Sequence, residues 1–184
     1  PEAASPEARV QLAHEARINA RLEHPNVVRV YDFLTVGGAD YIVSEYVDGL
    51  SLAESSGAGL DLDRQLMIAL QISRGLAFAH EAGVVHLDLK AENVLVGRDG
   101  VSKIADFGVA RRIDAGERHE ASGVTIRGTF RSMSPEQTRA SPADARSDLF
   151  SFGTLLYELL AGVSPFYARG HAAETIRRIR ELRP

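Results

Sequence analysis

The stretch His86-Leu87-Asp88-Leu89-Lys90-Ala91-Glu92-Asn93, followed shortly by Asp106-Phe107-Gly108, decides the fold of this chain. Residues rich in valine and isoleucine join the two segments and predict a hairpin with strands at 93–96 and 101–104. Carboxylates, an amide and an ammonium group therefore lie on neighbouring loops. A carboxylate can accept a proton from a hydroxyl nucleophile, a lysine can neutralise a phosphate, and oxygen ligands can hold a metal ion that bridges phosphates. Phosphoryl transfer requires these groups.

These residues resemble the catalytic loop and the metal-binding motif of eukaryotic-like (Hanks-type) protein kinases, whose patterns HxDxKxxN and DFG occur in this order. The resemblance covers almost the whole chain. Further family segments are matched by Glu15 ahead of His24-Pro25-Asn26, by Glu45-Tyr46-Val47, by Gly128-Thr129 and by Ser147 to Gly153. The run Arg131-Ser132-Met133-Ser134-Pro135-Glu136-Gln137 is similar to bacterial members. A lone DFG is weak support, whereas motifs in the family order make the resemblance specific.

The resemblance implies an α+β, protein-kinase-like fold with two lobes. We expect a partial N-lobe at 1–44, with helix αC and a β-hairpin, a hinge at 45–49, and a mainly helical, partial C-lobe at 50–184. The sequence pattern predicts helices at 5–22, from 63 to a stop at Gly83, from Asp148 onward and at 172–182. It also predicts a hairpin with strands at 27–33 and 41–46 around Gly37-Gly38.

Two of the predicted helices carry informative patterns. In the helix that stops at Gly83, apolar or small residues recur at helical spacing at Leu66, Ala69, Leu70, Ser73, Leu76, Ala77 and His80. The helix that opens at Asp148 is apolar nearly all round, which is typical of a buried helix.

The resemblance implies catalytic and metal-binding roles for residues of the two motifs. Asp88 would be the catalytic base, Lys90 would neutralise the γ-phosphate, and Asn93 and Asp106 would hold Mg²⁺. A lysine at position 90 is typical of Ser/Thr rather than tyrosine kinases. Ordinary roles compete with these, since Asp88 could be a surface-loop aspartate, Asp106 a turn cap and Lys90 a solvated charge. Their common register favours the catalytic roles.

The resemblance implies a site that binds ATP. Adenine would stack near Leu95 and bond to the hinge backbone at Glu45 and Val47, with Ser44 as a small gatekeeper beside it. Glu15 would be the αC glutamate of this site, and Lys90 and Asp106 would complete it toward the phosphates.

Supporting roles follow from the same resemblance. His86 would pack under Phe107, and Thr129 would contact the catalytic aspartate and lysine. Asp148 would accept backbone hydrogen bonds from the catalytic loop, because a buried carboxylate at a helix N-terminus is otherwise costly.

The chain departs from the family at several positions. Leu87 replaces the arginine that usually receives a phosphorylated activation-loop residue, which weakens the case for regulation through Ser122 or Thr125. Asn19 stands where an apolar residue of αC is usual, so this helix is expected to be held less firmly.

The ends of the chain also depart from the family pattern. These residues contain neither a glycine-rich loop nor a strand lysine, so Glu15 is expected to lack a lysine partner. In the family, the glutamate at the position of Glu136 usually pairs with an arginine near the end of the domain, past these residues, so Glu136 is likewise expected to have no partner. We therefore expect a fragment of a kinase domain that has no measurable activity and marginal stability by itself.

Composition excludes several classes of site. The net charge of −4 argues against a nucleic-acid surface, and the absence of cysteine excludes disulfides and thiolate metal sites. The apolar residues from 149 to 161 are too few and too interrupted to span a bilayer. With no signal peptide in view, a cytoplasmic location is the default expectation.

The function that the resemblance implies is transfer of the ATP γ-phosphoryl group to Ser or Thr hydroxyls of a protein substrate. The alternative is a pseudokinase, a kinase-like binding module without catalysis.

Overall fold

The computed structural model describes residues 21–37, 39–55, 59–107, 111–112, 129–168 and 171–182. Its strands are β1 (Val30–Val36), β2 (Ala39–Ser44), β3 (Gly49–Ser51), β4 (Val84–Val85), β5 (Val94–Gly97), β6 (Ser102–Ile104) and β7 (Arg111–Arg112). Its helices are α1 (Leu52–Ser55), α2 (Leu62–Glu81), α3 (Pro135–Thr138), α4 (Ala145–Ala161) and α5 (Ala172–Glu181). Short 3₁₀ turns lie at Ala91–Asn93 and Thr129–Arg131. This mixture of small sheets and helices confirms the predicted α+β class. The predicted helix at 5–22 lies almost entirely outside the described residues.

The first hairpin is formed by β1 and β2, which pair antiparallel from Val36 opposite Ala39 to Val30 opposite Ser44. The turn uses Gly37, whose φ of 59° lies in the left-handed region that glycine adopts without a steric cost. The predicted hairpin is therefore confirmed, with each strand shifted by two or three residues toward the turn.

The second hairpin, β5 with β6, belongs to a three-stranded sheet in the order β3-β5-β6. The segment before β1 is joined to this sheet, because the Val28 N–H donates to the Ile104 carbonyl oxygen at 2.8 Å and the Ile104 N–H donates to that of Asn26 at 2.9 Å. These bonds connect the first hairpin to the strand that leads into Asp106. The predicted hairpin after Asn93 is confirmed.

Helix α2 forms the centre of the core. Its N-cap Asp61 accepts a hydrogen bond from the Arg64 N–H, and Gly83, with φ of 73°, follows its end. The side chains that α2 buries most deeply share one face and are Ile68, Ile72, Leu76 and Ala79. Of the periodic residues singled out from the sequence, Leu76 is buried, but Leu66 and Leu70 are exposed. The helix carries two apolar stripes, and only its packing against β6 and α4 selects between them.

Helix α4 begins at Ala145, three residues before the predicted start, because Asp144 rather than Asp148 is its N-cap. The prediction that it is buried all round is wrong for the described chain, since Leu149, Tyr157 and Leu160 are exposed. A sequence that is apolar on every side does not reveal which side the neighbouring elements cover. Among the described residues, no helix is both long enough and apolar enough to cross a membrane.

Candidate active site

The loop that carries Asp88 is anchored by the carboxylate of Asp148, in the first turn of α4. Asp148 is fully buried and accepts the backbone N–H groups of His86 and Leu87, each at 2.7 Å. The Nε2 atom of His80, on α2, lies 2.8 Å from the same carboxylate. Hydrogen bonds to a charged acceptor are strong, so these contacts hold the loop against both helices. The predicted role of Asp148 is confirmed.

His86 links the two motif loops through its buried ring. Its Nε2 lies 3.0 Å from the Ala105 carbonyl oxygen, and its Nδ1 accepts the Asp88 N–H at 3.2 Å. This pattern requires the proton on Nε2 of a neutral ring. Burial lowers the pKa of His86 below its ordinary value, which agrees with that neutral form. The ring packs against Phe107 with centroids 4.5 Å apart, as predicted.

Asp88, Lys90 and Asn93 converge on one point. The Lys90 Nζ lies 2.6 Å from Asp88 Oδ2, and the Asn93 Nδ2 donates to the Asp88 carbonyl oxygen at 2.9 Å. The other carboxylate oxygen, Asp88 Oδ1, is shielded from solvent and has no hydrogen-bond partner among the described residues. The structure thus brings together the predicted catalytic residues and leaves one oxygen of the Asp88 carboxylate without a donor among the described residues.

Asp106 follows β6 and lies close to Asn93, because the Ala105 N–H donates to the Asn93 carbonyl oxygen at 2.8 Å. Asp106 has a left-handed φ of 59° and an exposed side chain. The Asn93 side chain uses its Nδ2 on Asp88, so its Oδ1 could serve as a ligand of a cation. A carboxylate and an amide oxygen are hard ligands of the kind that Mg²⁺ takes, together with phosphate oxygens and water.

Those two residues do not make a metal site by themselves. Within the described part of the chain, no group of three or more acidic or histidine side chains could hold a metal ion. The residues present therefore fit a metal that arrives with a phosphate ligand rather than a fully protein-bound ion.

A cleft of about 290 Å³ lies between the first hairpin and the segment at Asp106. Its walls contain Leu22, Val27, Val28, Val30, Ile42, Ser44, Glu45, Leu95, Ala105, Asp106 and Phe107. Of the predicted nucleotide contacts, it therefore brings together Ser44, Glu45, Leu95 and Asp106. Val47 and Lys90 are not on its walls, and Glu15 lies outside the described residues.

Glu45 has a partner that the sequence did not indicate. Its carboxylate lies 2.6 Å from the Lys103 Nζ and accepts the Arg29 N–H at 3.2 Å. Burial is the largest single effect on Glu45 and opposes its ionisation. The hydrogen bonds from Lys103 and the Arg29 N–H, together with the positive charges of both residues, outweigh it and hold the pKa of Glu45 below its usual value. The Glu45 N–H donates to the Arg29 carbonyl oxygen at 2.8 Å. Of the two backbone polar groups of Glu45, the carbonyl is therefore the one to which an adenine could bond.

The segment around α3 contains two contacts that sequence reasoning missed. Glu136, expected to be unpartnered, accepts a short hydrogen bond from the Ser147 hydroxyl at the start of α4, which corrects that expectation. Burial is the largest single effect on Glu136 and opposes its ionisation, but hydrogen bonds from Ser147, from its own backbone and from Ser134 together outweigh burial and lower its pKa. Gln137 donates from Nε2 to the Leu87 carbonyl oxygen at 2.7 Å. Glutamate and glutamine beside a helix N-terminus are the only signal that could have drawn attention to them.

A second cavity, of about 220 Å³, has Lys90 on its wall. Glu92, Arg131, Ser132 and Glu158 provide its polar surface, and Leu155 and Leu159 of α4 contribute apolar surface. Burial raises the pKa of Glu158. The side chain of Thr129, which was predicted to contact the catalytic aspartate and lysine, lies outside the described part of the chain.

A sequence model of the protein kinase domain matches residues 2–183 of this chain. The chain is 40% identical to a probable serine/threonine-protein kinase of Streptomyces coelicolor, over 97% of the chain and 28% of that protein. It is 35% identical to the serine/threonine-protein kinase PknB of Mycolicibacterium smegmatis and 34% identical to PknB of Mycobacterium tuberculosis, in both cases over 97% of the chain and 30% of the relative. The chain thus spans less than a third of these curated relatives.

Proposed function

The chain belongs to the protein kinase domain family, and we propose that it supplies catalytic residues of a serine/threonine protein kinase. The reaction is transfer of the γ-phosphoryl group of ATP to a Ser or Thr hydroxyl of a protein substrate. Relatives named as serine/threonine-protein kinases support this reaction over nearly the whole chain.

The single observation that carries the proposal is the state of Asp88. Its Oδ2 lies 2.6 Å from the Lys90 ammonium, while its Oδ1 is buried without a donor in the described part of the chain. A shielded carboxylate oxygen with no donor is costly, and such groups in native proteins call for an explanation. A substrate hydroxyl is a donor that would satisfy it, which supports the assignment of Asp88 as the base.

In the proposed reaction, the substrate hydroxyl oxygen bonds to the γ-phosphorus and its proton passes to Asp88. The bond between the γ-phosphorus and the β–γ bridging oxygen breaks, and ADP leaves. Lys90 offers positive charge to the phosphoryl oxygens, and the Asn93 amide keeps Asp88 oriented through its carbonyl group. Positioning and charge stabilisation account for most of the catalysis in reactions of this kind.

Asn93 and Asp106 would hold Mg²⁺, which neutralises phosphate charge when it is bound. The cleft beside Ser44 would take the adenine, with Leu95 against the ring and the backbone of Glu45 and Val47 as hydrogen-bonding groups. Glu15 would act from αC on the phosphate side of the same site.

Protein substrates would lie against the cavity at Lys90. Its surface is partly apolar and partly polar, with charges of both signs, which supports binding of an extended polypeptide beside the reacting hydroxyl. Which protein is phosphorylated depends on the full-length gene product and not on this segment alone.

A phosphoryl-transfer assay tests the proposal on the full-length product of the gene that encodes this chain. The wild-type protein is expected to transfer radiolabelled phosphate from ATP to a generic basic protein, and Asp88→Asn is expected to remove at least 99% of the rate, which is about 2.7 kcal/mol of barrier. Glu81→Gln, which changes an exposed carboxylate at the end of α2, is the matched control. Nucleotide binding without transfer in the wild type would favour the pseudokinase alternative.

A further inference from the structure

The residue before the proposed base has an unusual backbone. Leu87 has φ of 64°, in the left-handed region that residues with a Cβ avoid. The direction of the next peptide, and so the place of Asp88, depends on this conformation. Surrounding contacts must therefore hold Leu87 where it is.

Two side chains from different helices hold the two polar groups of Leu87. Its N–H donates to Asp148 Oδ1 at 2.7 Å, and its carbonyl oxygen accepts the Gln137 Nε2 at 2.7 Å. Asp148 alone would fix only the N–H side. Gln137 is the described group that fixes the carbonyl side, immediately before Asp88.

The Gln137 amide is itself rigidly placed. Its Oε1 accepts the Ser134 N–H at 2.8 Å, and Ser134, which is fully buried, caps α3 in a capping box with Gln137. One end of the amide is thus used by the helix N-terminus. The other end must point its N–H₂ group at the catalytic loop.

We propose that Gln137 is a positioning residue for Asp88, acting through the Leu87 carbonyl group. This contact is neutral and is made by α3. With Leu87 in place of the family's arginine, the loop lacks a cation there that could bind a phosphate. Gln137 therefore positions the catalytic loop through a neutral hydrogen bond, without a cation at position 87. This inference rests on the proposed kinase function.

Gln137→Glu separates this role from helix capping. Glutamate keeps an oxygen for the Ser134 N–H and is itself favoured at this position of a capping box, but its carboxylate cannot donate to the Leu87 carbonyl. Gln65→Glu is the matched control, because Gln65 also donates its Nε2 to a backbone carbonyl oxygen, that of Leu60, at 3.1 Å. Gln65 lies in the first turn of α2, at the opposite end of this helix from His80.

Steady-state kinetics on the full-length gene product test the inference. Gln137→Glu is expected to lower kcat at least tenfold with the KM for ATP unchanged within twofold, whereas Gln65→Glu keeps both. In an Asp88→Asn background, Gln137→Glu should cause no further loss, because it acts through Asp88. Wild-type kcat in Gln137→Glu, or an equal further loss in that background, would overturn the positioning role.

Hydrogen exchange adds a readout that does not need activity. In the same protein, Gln137→Glu is expected to speed exchange of the Leu87 and Asp88 amides at least tenfold and leave α2 unchanged. Unchanged exchange at these amides would also overturn the proposal. An inactive wild type would instead overturn the proposed function, and the role of Gln137 in catalysis with it.

Discussion

Replacing Asp148 by asparagine should destabilise the protein more than any comparable change on the same helix. Asparagine has the same shape but only one acceptor oxygen. In the wild type, one carboxylate oxygen serves the Leu87 N–H, and the other serves the His86 N–H and faces His80. The variant must therefore turn an N–H₂ group toward at least one buried N–H donor.

The size of the effect follows from these contacts. Losing one hydrogen bond to a charged, buried acceptor costs about 1.5 to 3 kcal/mol. The remaining bonds become neutral and lose about half of their strength. We expect a loss of about 3 kcal/mol in the free energy of unfolding, a large part of the 5 to 15 kcal/mol that is usual for proteins. For a chain of this size, that loss lowers Tm by about 6 to 12 °C.

Urea unfolding of the full-length gene product, followed by far-UV circular dichroism, measures this loss. Asp144→Asn is the control, because Asp144 caps the same helix through the Arg146 N–H at 2.8 Å and asparagine caps equally well. It should change stability by less than about 0.5 kcal/mol. If Asp148→Asn lost less than about 1 kcal/mol, or no more than Asp144→Asn, the reasoning that Asp148 anchors the catalytic loop would be refuted.

Three further predictions concern the site. By titration calorimetry on the full-length gene product, ATP should bind at least tenfold more tightly with Mg²⁺ than without, about 1.4 kcal/mol, and Asp106→Asn should remove that difference; equal wild-type affinities would contradict the metal assignment. Ser44→Met should weaken ATP-site inhibitors that carry a bulky aromatic group at least tenfold and leave ATP affinity unchanged, whereas parallel losses would show that Ser44 does not line the adenine pocket. Burial lowers the pKa of His86 in the folded state, so its stabilising contribution is present above the unfolded value of about 6.5 and is lost as pH falls below it. His86→Phe should therefore reduce the fall of Tm between about pH 7 and 5.5, and an undiminished slope would assign that fall to other groups.

The catalytic loop could be predicted from the sequence because its chemistry is local. Asp88, Lys90 and Asn93 lie within a few residues, and one short loop is enough to bring them together. The hairpin of β5 and β6 then returns the chain to Asp106, and such a hairpin is readable from its β-branched residues. The roles of His86 and Asp148 followed from the family resemblance and agree with their contacts.

Contacts between distant segments could not be predicted in the same way. Gln137 lies 50 residues from Leu87 in sequence, and nothing in its residue type identifies a carbonyl partner. Lys103 lies on a predicted strand, and the sequence does not indicate that it pairs with Glu45 beside the cleft. Glu136 was expected to have no partner, but it accepts the hydroxyl of Ser147.

By itself, the sequence determined the kinase-like class, the order of the hairpins and helices, and the residues of the catalytic loop, because turns, periodicity and short motifs are local properties. Only the tertiary structure decided which stripe of α2 is buried, which side of α4 is exposed, and how Asp148 and Gln137 hold Leu87 in its left-handed conformation. The reason is that burial and hydrogen-bond partners depend on which surfaces meet. Elements with more than one apolar face, and polar side chains with several possible partners, are resolved only when the chain packs.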